Sequence, residues 1–530
     1  MAVGVKTTQF KSSPRGGLNL TVPADELPDE YCAEAVNVVM KQGLFGSRWG
    51  YDNLCSSLPA SCRVTHIYHY ESPSPGKTLE FFNQSAGRAW YMSGVRVNSC
   101  GISGITLASC NAPLSAGDTF VTTCEYLDLS AVQPSLVACW STYEHNPGSR
   151  MAPLLYQTSA KGKFIPILTS ANDFTGVANT KIYAKLVRNY ANYLVILCTY
   201  EGGNNHYQRV RWSDLARFGK DDWDDSNYND LVDTAGSIVN AGVLNNTLII
   251  YKEDAIIGMT HIGGSAIFRF DLYLPDEGLM SPLLFCPVGN CHYFVSNQGI
   301  YQYYGGQNIV NIGKPIWDNF LSVLSDSGAD SHKPYRNRAI MVHYRDERSI
   351  AIFVPSGNTY WPKKAYVYNY DSKIWTIWNT EDEVTAFGEF EHDTGNGVVY
   401  LPVTGTAGGA IYSWSPTDKN DDGVAISAYW VTKEFIGKGG PDNYTLWDQL
   451  VFEAEAASAT DDVTIYYRVD RSAWVEAATV TLTGGTTLTR YQANFVVAGR
   501  RAQFKFYSNT MDSRFRVGQY GIREMTGGPQ

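Results

Sequence analysis

Charge and long apolar runs are both scarce in this sequence. Charged residues make up 18% of the 530 positions, against about 25% in an average globular chain. No stretch reaches the ~18 uncharged apolar residues of a membrane helix. The opening residues Met1 to Lys6 lack the apolar segment of a secretory signal. We therefore expect a protein without a membrane-spanning segment, made in the cytoplasm, whose 10 cysteines are reduced.

Aromatic residues and glycine are abundant instead. The chain contains 35 tyrosines, 13 tryptophans and 48 glycines. Disordered chains are poor in aromatic residues and rich in charge, so wholesale disorder is excluded. The composition favours an all-β protein with many turns and large buried interfaces. The net charge of −10 argues against tight wrapping of nucleic acid but leaves loose passage of DNA open.

Sequence motifs for catalysis or cofactor binding are also missing. There is no phosphate-binding Gly-x4-Gly-Lys-Ser/Thr loop, no Gly-x-Gly-x-x-Gly turn and no Gly-x-Ser-x-Gly elbow. We predict no enzyme activity, no cofactor, no metal and no catalytic residue. A propeller glycosidase is the enzyme alternative, with Asp221, Asp222, Asp224 and Asp225 as candidate carboxylates. A solvated acidic loop is the simpler interpretation, because the repeated boxes of sialidases are absent.

One segment matches the first half of a calcium-binding loop. Asp418, Asn420, Asp422 and Gly423 follow the Asp-x-Asn-x-Asp-Gly pattern, but the twelfth position, which should be glutamate, is Tyr429. Aspartate, asparagine and glycine are also common turn residues. We interpret the segment as a turn and assign no metal site.

A weak internal repeat organises the middle of the chain. Each unit has a strand, a polar turn and a second strand rich in tyrosine and tryptophan, and units recur about every 40–55 residues, as propeller blades do. Tyrosines of these units, such as Tyr304, could pack, form a subunit contact or stack on sugars. The clearest copies start at Thr78, Cys291, Ser349 and Gly397, and further strand pairs lie near 135–167, 182–212 and 238–270.

These patterns predict an all-β protein with a β-propeller-like body of about six or seven blades and a C-terminal antiparallel β-sandwich. We place an extended arm and first strands at 1–58, the propeller at 59–416 and the sandwich at 417–530. Helices are expected at Leu27–Ala35 and, with a proline in its first turn, at Lys314–Leu324.

Several segments together resemble one family, the tail nozzle (tail hub) proteins of short-tailed bacteriophages. The opening has a glycine turn, an acidic segment, an asparagine-bearing strand and a Gly…Arg-x-Gly-Tyr close. Further on comes an arginine strand with Trp-Ser and Asp…Trp. The matching residues are Gly16–Leu20, Leu27–Glu30, Ala35–Val39, Gly43–Tyr51, Arg209–Asp214 and Asp221–Trp223; weaker similarity extends over Leu248–Gly258, Gly299–Tyr301 and Asp462–Glu524.

The resemblance implies a structural virion protein. Such proteins form a six-subunit ring below the portal and adaptor, hold and release the genome, and carry fibres or spikes. It implies a homohexamer with an adaptor, tail fibres and transient DNA contact as partners. An acidic channel wall would repel phosphate groups at short range. Gly202–Tyr207 or Lys220–Asp225 are our candidates for a protruding, gate-forming element, with a plain surface loop as the simpler interpretation. The alternative function is a glycan- or receptor-binding propeller of the virion.

Overall fold

The computed structural model describes most of the chain. The described residues are 6–11, 13–55, 63–72, 76–85, 88–97, 101–113, 119–129, 131, 134–142, 155–157, 165–166, 183–201, 204–219, 222–325, 335–357, 359–393, 398–437, 440–456, 461–483 and 485–526. Among them, the helix Trp317–Ser325 and the short 3-10 turn Tyr335–Asn337 are the only helical segments. No helix of this part of the chain is long and apolar enough to span a membrane.

Seven four-stranded antiparallel units, numbered here as blades 1 to 7, follow one another through the described part of the chain. Blades 1 to 5 are separate sheets, whereas blades 6 and 7 belong to larger sheets. A four-stranded sheet of this size cannot bury both faces alone, and radial stacking buries them while leaving only short edges. The strands of blade 1 are Arg63–Ser72, Gly76–Ser85, Arg88–Val97 and Gly101–Pro113; of blade 2, Thr119–Tyr126, Ser135–Thr142, Leu155–Gln157 and Ile165–Pro166; of blade 3, Tyr183–Tyr190, Tyr193–Glu201, Asn204–Trp212 and Tyr228–Asp230; of blade 4, Ile238–Leu244, Thr247–Lys252, Ile256–His261 and Phe268–Leu274. Those of blade 5 are Phe285–Val288, Cys291–Val295, Ile300–Gly305 and Asn308–Asn311; of blade 6, Ile340–Tyr344, Ser349–Val354, Lys364–Asn369 and Ile374–Asn379; of blade 7, Ala386–Asp393, Val398–Gly405, Ile411–Ser415 and, from the N-terminal arm, Gly50–Cys55.

The blades join into a closed circle through contacts between neighbours. Each blade touches the next, and blade 7 returns to blade 1 where the Thr385 hydroxyl donates to the Val64 carbonyl at 2.7 Å. Apolar residues of the inner strands are buried between the blades, and Tyr303 and Tyr366 of the third strands are fully buried as well. The other contacts between neighbouring blades are His66–Thr123, Val187–Thr122, Arg188–Ala241, His292–Val243, Met341–Leu283 and Arg345–Glu389.

The N-terminal arm supplies strands to both bodies. Gly50–Cys55 pairs antiparallel with Ile411–Ser415 and so completes blade 7 with a strand from the other end of the chain. Lys6–Lys11 pairs with the last strand of the chain, Phe515–Thr526. The arm's remaining strands are Gly17–Leu18, Tyr31–Cys32, Glu34–Val36, Val38–Lys41 and Leu44–Ser47. The boundary that we predict at 58/59 stays a prediction, and the arm is not a separate unit in space.

Two antiparallel sheets form the C-terminal sandwich. An aromatic core fills the space between them, where the rings of Trp430 and Phe506 stack at 4.3 Å and Tyr520 meets Phe506 edge-on at 5.8 Å. The strands are Ala428–Val431, Phe435–Ile436, Thr445–Ala456, Asp462–Val469, Val475–Thr481, Gly485–Gly499, Arg501–Ser508 and Phe515–Thr526, and the short strands Asn420–Asp421 and Val424–Ala425 precede them. The predicted all-β fold, with a propeller-like body of six or seven blades and a terminal antiparallel sandwich, is confirmed.

The propeller and the sandwich share a continuous sheet. Glu34–Val36 of the arm pairs with the last strand of blade 6 on one side and with Ala428–Val431 of the sandwich on the other. The ten-stranded sheet that results runs from blade 6 into the sandwich. The arm is therefore the piece that fuses the two bodies.

One of the two expected helices is wrong. The helix Trp317–Ser325 lies where Lys314–Leu324 predicts one, with Phe320 and Leu324 buried. Leu27–Ala35 instead forms turns and short strands, because Tyr31–Cys32 pairs with Gly17–Leu18 in parallel. Hydrogen bonds to a distant partner strand override a weak local helix preference.

Candidate functional site

Blade 3 contains the segments that we predict to protrude. Asn204 to Tyr207 begin the third strand of the blade, and Asp222 to Asp225 lie in the connection to its fourth strand. Gly202, Gly203, Lys220 and Asp221 lie outside the described residues. The predicted protrusion and gating of these segments stay predictions.

The Trp-Ser-Asp…Asp-Trp segment of this blade forms a turn that hydrogen bonds hold in place. The Ser213 hydroxyl accepts a hydrogen bond from the Leu194 amide at 3.0 Å, and the Asp214 amide donates to the Asp222 carbonyl at 2.8 Å. Trp223 is 2% exposed, and its indole nitrogen donates to the Phe218 carbonyl. These contacts hold the connection against the blade, so the segment specifies local structure.

A cluster of ion pairs lies beside this turn. The Arg211 guanidinium donates to both carboxylate oxygens of Glu201, at 3.1 and 2.9 Å. Arg209 donates to the same Glu201 at 3.1 Å and to both oxygens of Asp230, at 2.8 and 2.7 Å. The ring of Tyr228 covers the Arg209 guanidinium at 3.9 Å. Alternate residues of a strand share one face, which brings both arginines to the same carboxylate.

The charges of this cluster are fixed by their partners. Burial alone would raise the pKa of the Glu201 carboxyl, but hydrogen bonds from Arg211 and Thr199 and the nearby arginine charges bring it below its usual value. The hydrogen bonds from Arg209 lower the pKa of Asp230. Burial, then the Arg209 charge, lowers the pKa of His206. Both carboxylates thus stay ionised at neutral pH, which suits hydrogen-bond acceptance and does not suit proton donation.

An open depression of about 420 Å³ adjoins this cluster, between blades 3 and 4. It is lined by one aromatic ring, two carboxylates, an imidazole, an amide and the apolar Val232, which are the groups that bind sugar hydroxyls and stack on sugar faces. Tyr207 is 36% exposed, and Glu253 accepts a hydrogen bond from the Ser237 amide at 2.9 Å. The full lining is His206, Tyr207, Gln208, Asp230, Val232, Gly236, Ser237 and Glu253.

The described residues contain no group of three or more histidine, cysteine, aspartate or glutamate side chains placed to hold a metal ion. In the segment that resembles a calcium loop, the Asn420 side chain accepts from the Gly423 amide at 2.8 Å and donates to Asp512 at 2.6 Å. Burial, then the nearby Asp52 carboxylate, raises the pKa of Asp418 to about 6. The segment is a turn stabilised by its asparagine.

The opening residues that carry the family resemblance meet at a different place, the joint between propeller and sandwich. Arg48 has a fully buried side chain, and it donates to both oxygens of Asp421, at 2.8 and 2.5 Å. It also donates to the Asn37 side chain at 3.1 Å and to the carbonyls of Trp49 and Asn379, at 2.7 and 2.8 Å. We call Arg48, Asp421, Asn37 and Asn379 the Arg48 cluster.

Asn37 and Gly50 complete this joint. The Asn37 side chain donates to the Ser427 carbonyl at 2.8 Å and accepts from the Asn379 amide at 2.7 Å, which connects the sandwich entry to blade 6. A Cβ atom at Gly50 would overlap the Asn420 carbonyl oxygen. The asparagine-bearing strand and the Arg-x-Gly-Tyr close therefore build one buried joint.

Comparison with known proteins gives structural likeness alone. No protein-family model and no curated relative matches the chain. Among solved structures, an exo-β-1,3-galactanase from Phanerochaete chrysosporium with galactose is 8% identical, with a TM-score of 0.28 over 92% of this chain and 100% of that chain. A variant of that enzyme with β-1,3-galactotriose is 9% identical, with a TM-score of 0.27 over 89% of this chain and 98% of that chain.

These matches overturn one prediction. We expected a protein that is not an enzyme, and that prediction is wrong, since the matched structures are those of an exo-β-1,3-galactanase. We based the prediction on the absence of local catalytic sequence motifs. A propeller can bring carboxylates together from separate blades, and such carboxylates need no fixed spacing in the sequence. At these identities and TM-scores the matched structures assign no substrate and no catalytic residue to this chain.

Sequence reasoning missed the partners of the arginines. The pattern singles out Arg209, Arg211 and Arg48, but not Glu201, Asp230 or Asp421. The spacing of Arg209 and Arg211 is a usable signal, because residues two apart on a strand face one way. Their partners depend on strand register, which shifts between Leu197 and Thr199 in blade 3.

Proposed function

We propose that this chain is a ring-forming tail nozzle, or tail hub, protein of a short-tailed bacteriophage, which retains packaged DNA and conducts it during ejection. The observation that carries the proposal is the joint described above. The opening pattern that resembles this family consists of the residues that lock arm, propeller and sandwich together, namely Asn37, Arg48 and Gly50. The residues that carry the resemblance therefore build the contact between the two bodies of the fold, the propeller and the sandwich.

The composition supports the same proposal. A ring needs one surface of each copy to fit a different surface of the next, and aromatic-rich, weakly charged surfaces suit such contacts. The net charge of −10 suits a channel through which DNA must slide, because acidic walls avoid strong links to phosphate. The proposed partners are five further copies, a head-to-tail adaptor, tail fibres or spikes, and transiently the genome, all in the virion.

The proposal is tested by the mass and symmetry of the purified chain across a concentration series, alone and with an adaptor protein. We expect particles of about 350 kDa, six times 58.7 kDa, with six-fold averages and an open centre. Gly50→Ala, which strains the joint, should lower the ring fraction. Gly408→Ala is the matched control, since its Cβ would have Thr406 Oγ1 at 3.9 Å as its nearest neighbour. Monomers under every condition would refute the proposal.

The depression between blades 3 and 4 favours a second candidate function, saccharide binding by the propeller. Tyr207, Asp230 and Glu253 offer a ring and two acceptor groups within one open surface. A glycan array with the intact chain should give saturable binding. Tyr207→Ala should weaken it about two- to tenfold, the range for one lost stacking contact. Tyr444→Ala is the control, because Tyr444 is 65% exposed and lies in the sandwich. Equal binding by both variants would refute this candidate, and release of sugar would extend it to hydrolysis.

A further inference from the structure

A second cavity lies at the junction of the N-terminal arm and the sandwich. Its volume is about 170 Å³, slightly more than the 150 Å³ of an engineered cavity that binds benzene. It therefore has room for a group of roughly five or six heavy atoms. Its lining includes the apolar side chains of Leu44, Trp49 and Phe515, and it shares no residue with the depression of blade 3.

Three cations surround this cavity, namely Lys41, Arg514 and Arg516. Glu455, the one acidic residue of the lining, is 3.7 Å from Arg516. Glu347 lies behind the lining, 2.7 Å from Lys41. The carboxylates of Asp418 and Asp461 also act on the Arg514 guanidinium from outside the lining. The lining itself contains three cations and one carboxylate, Glu455.

Unused hydrogen-bond donors point to an occupant. The Arg514 Nε and the Ser47 Oγ are buried atoms without a hydrogen-bond partner among the described residues. A buried polar group without a partner is unfavourable, and proteins seldom leave one without a ligand or water. The two terminal nitrogens of Arg514 already donate to the Pro416 and Asp418 carbonyls, so the guanidinium is held in place.

The glycine at this point keeps the cavity open. A Cβ atom at Gly46 would lie 2.6 Å from the Phe515 carbonyl oxygen and 2.8 Å from the Arg516 Cγ. Gly46 pairs with Arg516 across the two strands. A larger residue would push the strands apart, so glycine sets the spacing at the wall that carries Arg516.

We propose that this cavity binds a small oxyanion, a phosphate or carboxylate group, between Arg514, Arg516, Lys41 and the Ser47 hydroxyl. An oxyanion accepts several hydrogen bonds at once and would satisfy the two unused donors. Because the lining comes from the arm, the sandwich and the residues next to the Arg48 cluster, an occupant would brace the joint. The inference does not depend on the tail-ring proposal.

The test measures the melting temperature of the full chain against rising inorganic phosphate, with sodium chloride at equal ionic strength as the reference. A ligand that binds the folded state alone stabilises it by RT ln(1 + c/Kd), where c is the free ligand concentration, so the melting temperature rises with the logarithm of c above Kd. A parallel series with succinate distinguishes a carboxylate source from a phosphate source, and a rise of this logarithmic form with either supports the site. No rise beyond sodium chloride with either would overturn it.

Two variants localise the effect. Ser47→Ala should weaken the titrated affinity by about ten- to a hundredfold, the usual effect of losing a hydrogen bond to a charged group. Arg516→Gln should weaken it further, whereas Arg269→Gln removes an exposed, paired arginine of blade 4 and should leave it unchanged. Equal effects of Arg516→Gln and Arg269→Gln would show a nonspecific salt response and overturn the proposal.

Discussion

Replacing Arg48 with methionine should open the joint between propeller and sandwich. The Arg48 side chain is 0% exposed and that of its partner Asp421 is 6% exposed. The substitution removes the cation and leaves the Asp421 carboxylate buried without its bidentate partner. It also leaves the Asn379 carbonyl, which accepts from Arg48 at 2.8 Å, without this donor.

The expected loss follows from this geometry. Removing one member of a buried ion pair costs about 3–5 kcal/mol, or roughly two to nearly four powers of ten in the opening equilibrium. Replacing both partners by apolar groups is often nearly neutral. The double variant Arg48→Met with Asp421→Leu should therefore be more stable than Arg48→Met alone, and a double-mutant cycle should give a coupling of several kcal/mol.

Hydrogen exchange is the direct assay, because the amides of the joint report local opening. The Arg48 amide donates to the Asn37 carbonyl at 2.9 Å, and the Asn37 amide donates to the Ile377 carbonyl at 2.7 Å. Both should exchange faster in Arg48→Met. The matched control is Arg348→Met, whose ion pair with Asp371 is 62% and 63% exposed and should cost about 0–1 kcal/mol. If the two variants lose equal stability, the reasoning about the joint is refuted.

Three further predictions concern stability. Gly50→Ala should lower the unfolding free energy by about 1–3 kcal/mol, the usual cost of overpacking, while Gly408→Ala stays near zero; equal denaturation midpoints would contradict this. Asp418→Asn should stabilise the half-buried position by up to about 1 kcal/mol at pH 7, after allowance for solvent screening. Because the folded pKa of Asp418, about 6, exceeds its unfolded value, this gain should disappear as the pH falls to about 4; a pH-independent gain would contradict it. Burial lowers the pKa of His292 to about 4. As the pH falls from 6.5 to 4, the unfolded chain takes up a proton at His292 and the folded chain does not, so the free energy of unfolding should fall by up to about 3 kcal/mol. His292→Asn should flatten this pH profile of stability, and an unchanged slope would count against the prediction.

Local sequence patterns predict the blades well and the joint poorly. Alternation and polar turns locate the second and third strands of blades 5 and 6, because hairpins are contacts between near neighbours in sequence. The strand Gly50–Cys55 completes blade 7 from the far end of the chain, and no local pattern encodes such a pairing. The same limit explains Leu27–Ala35, where pairing of Tyr31–Cys32 with Gly17–Leu18 replaces the expected helix.

The candidate functional residues also divide into those that a local pattern shows and those that depend on strand pairing. The paired arginines of blade 3 are visible in the sequence as Arg209 and Arg211, while Glu201 and Asp230 become partners only through strand register. Burial likewise separates the tyrosines of the repeat. Tyr303 and Tyr366 are fully buried and pack in the core, whereas Tyr304 is 40% exposed. Sequence alone leaves packing, subunit contact and sugar stacking open for all of them.

The mass and symmetry of the assembled chain test the central claim most directly. Mass photometry across a concentration series, followed by electron-microscope averages, should show a particle of about 350 kDa, six times 58.7 kDa. The averages should have six-fold symmetry and a channel wide enough for duplex DNA. A single species of 58.7 kDa up to the solubility limit, both alone and with an adaptor protein, would contradict the claim.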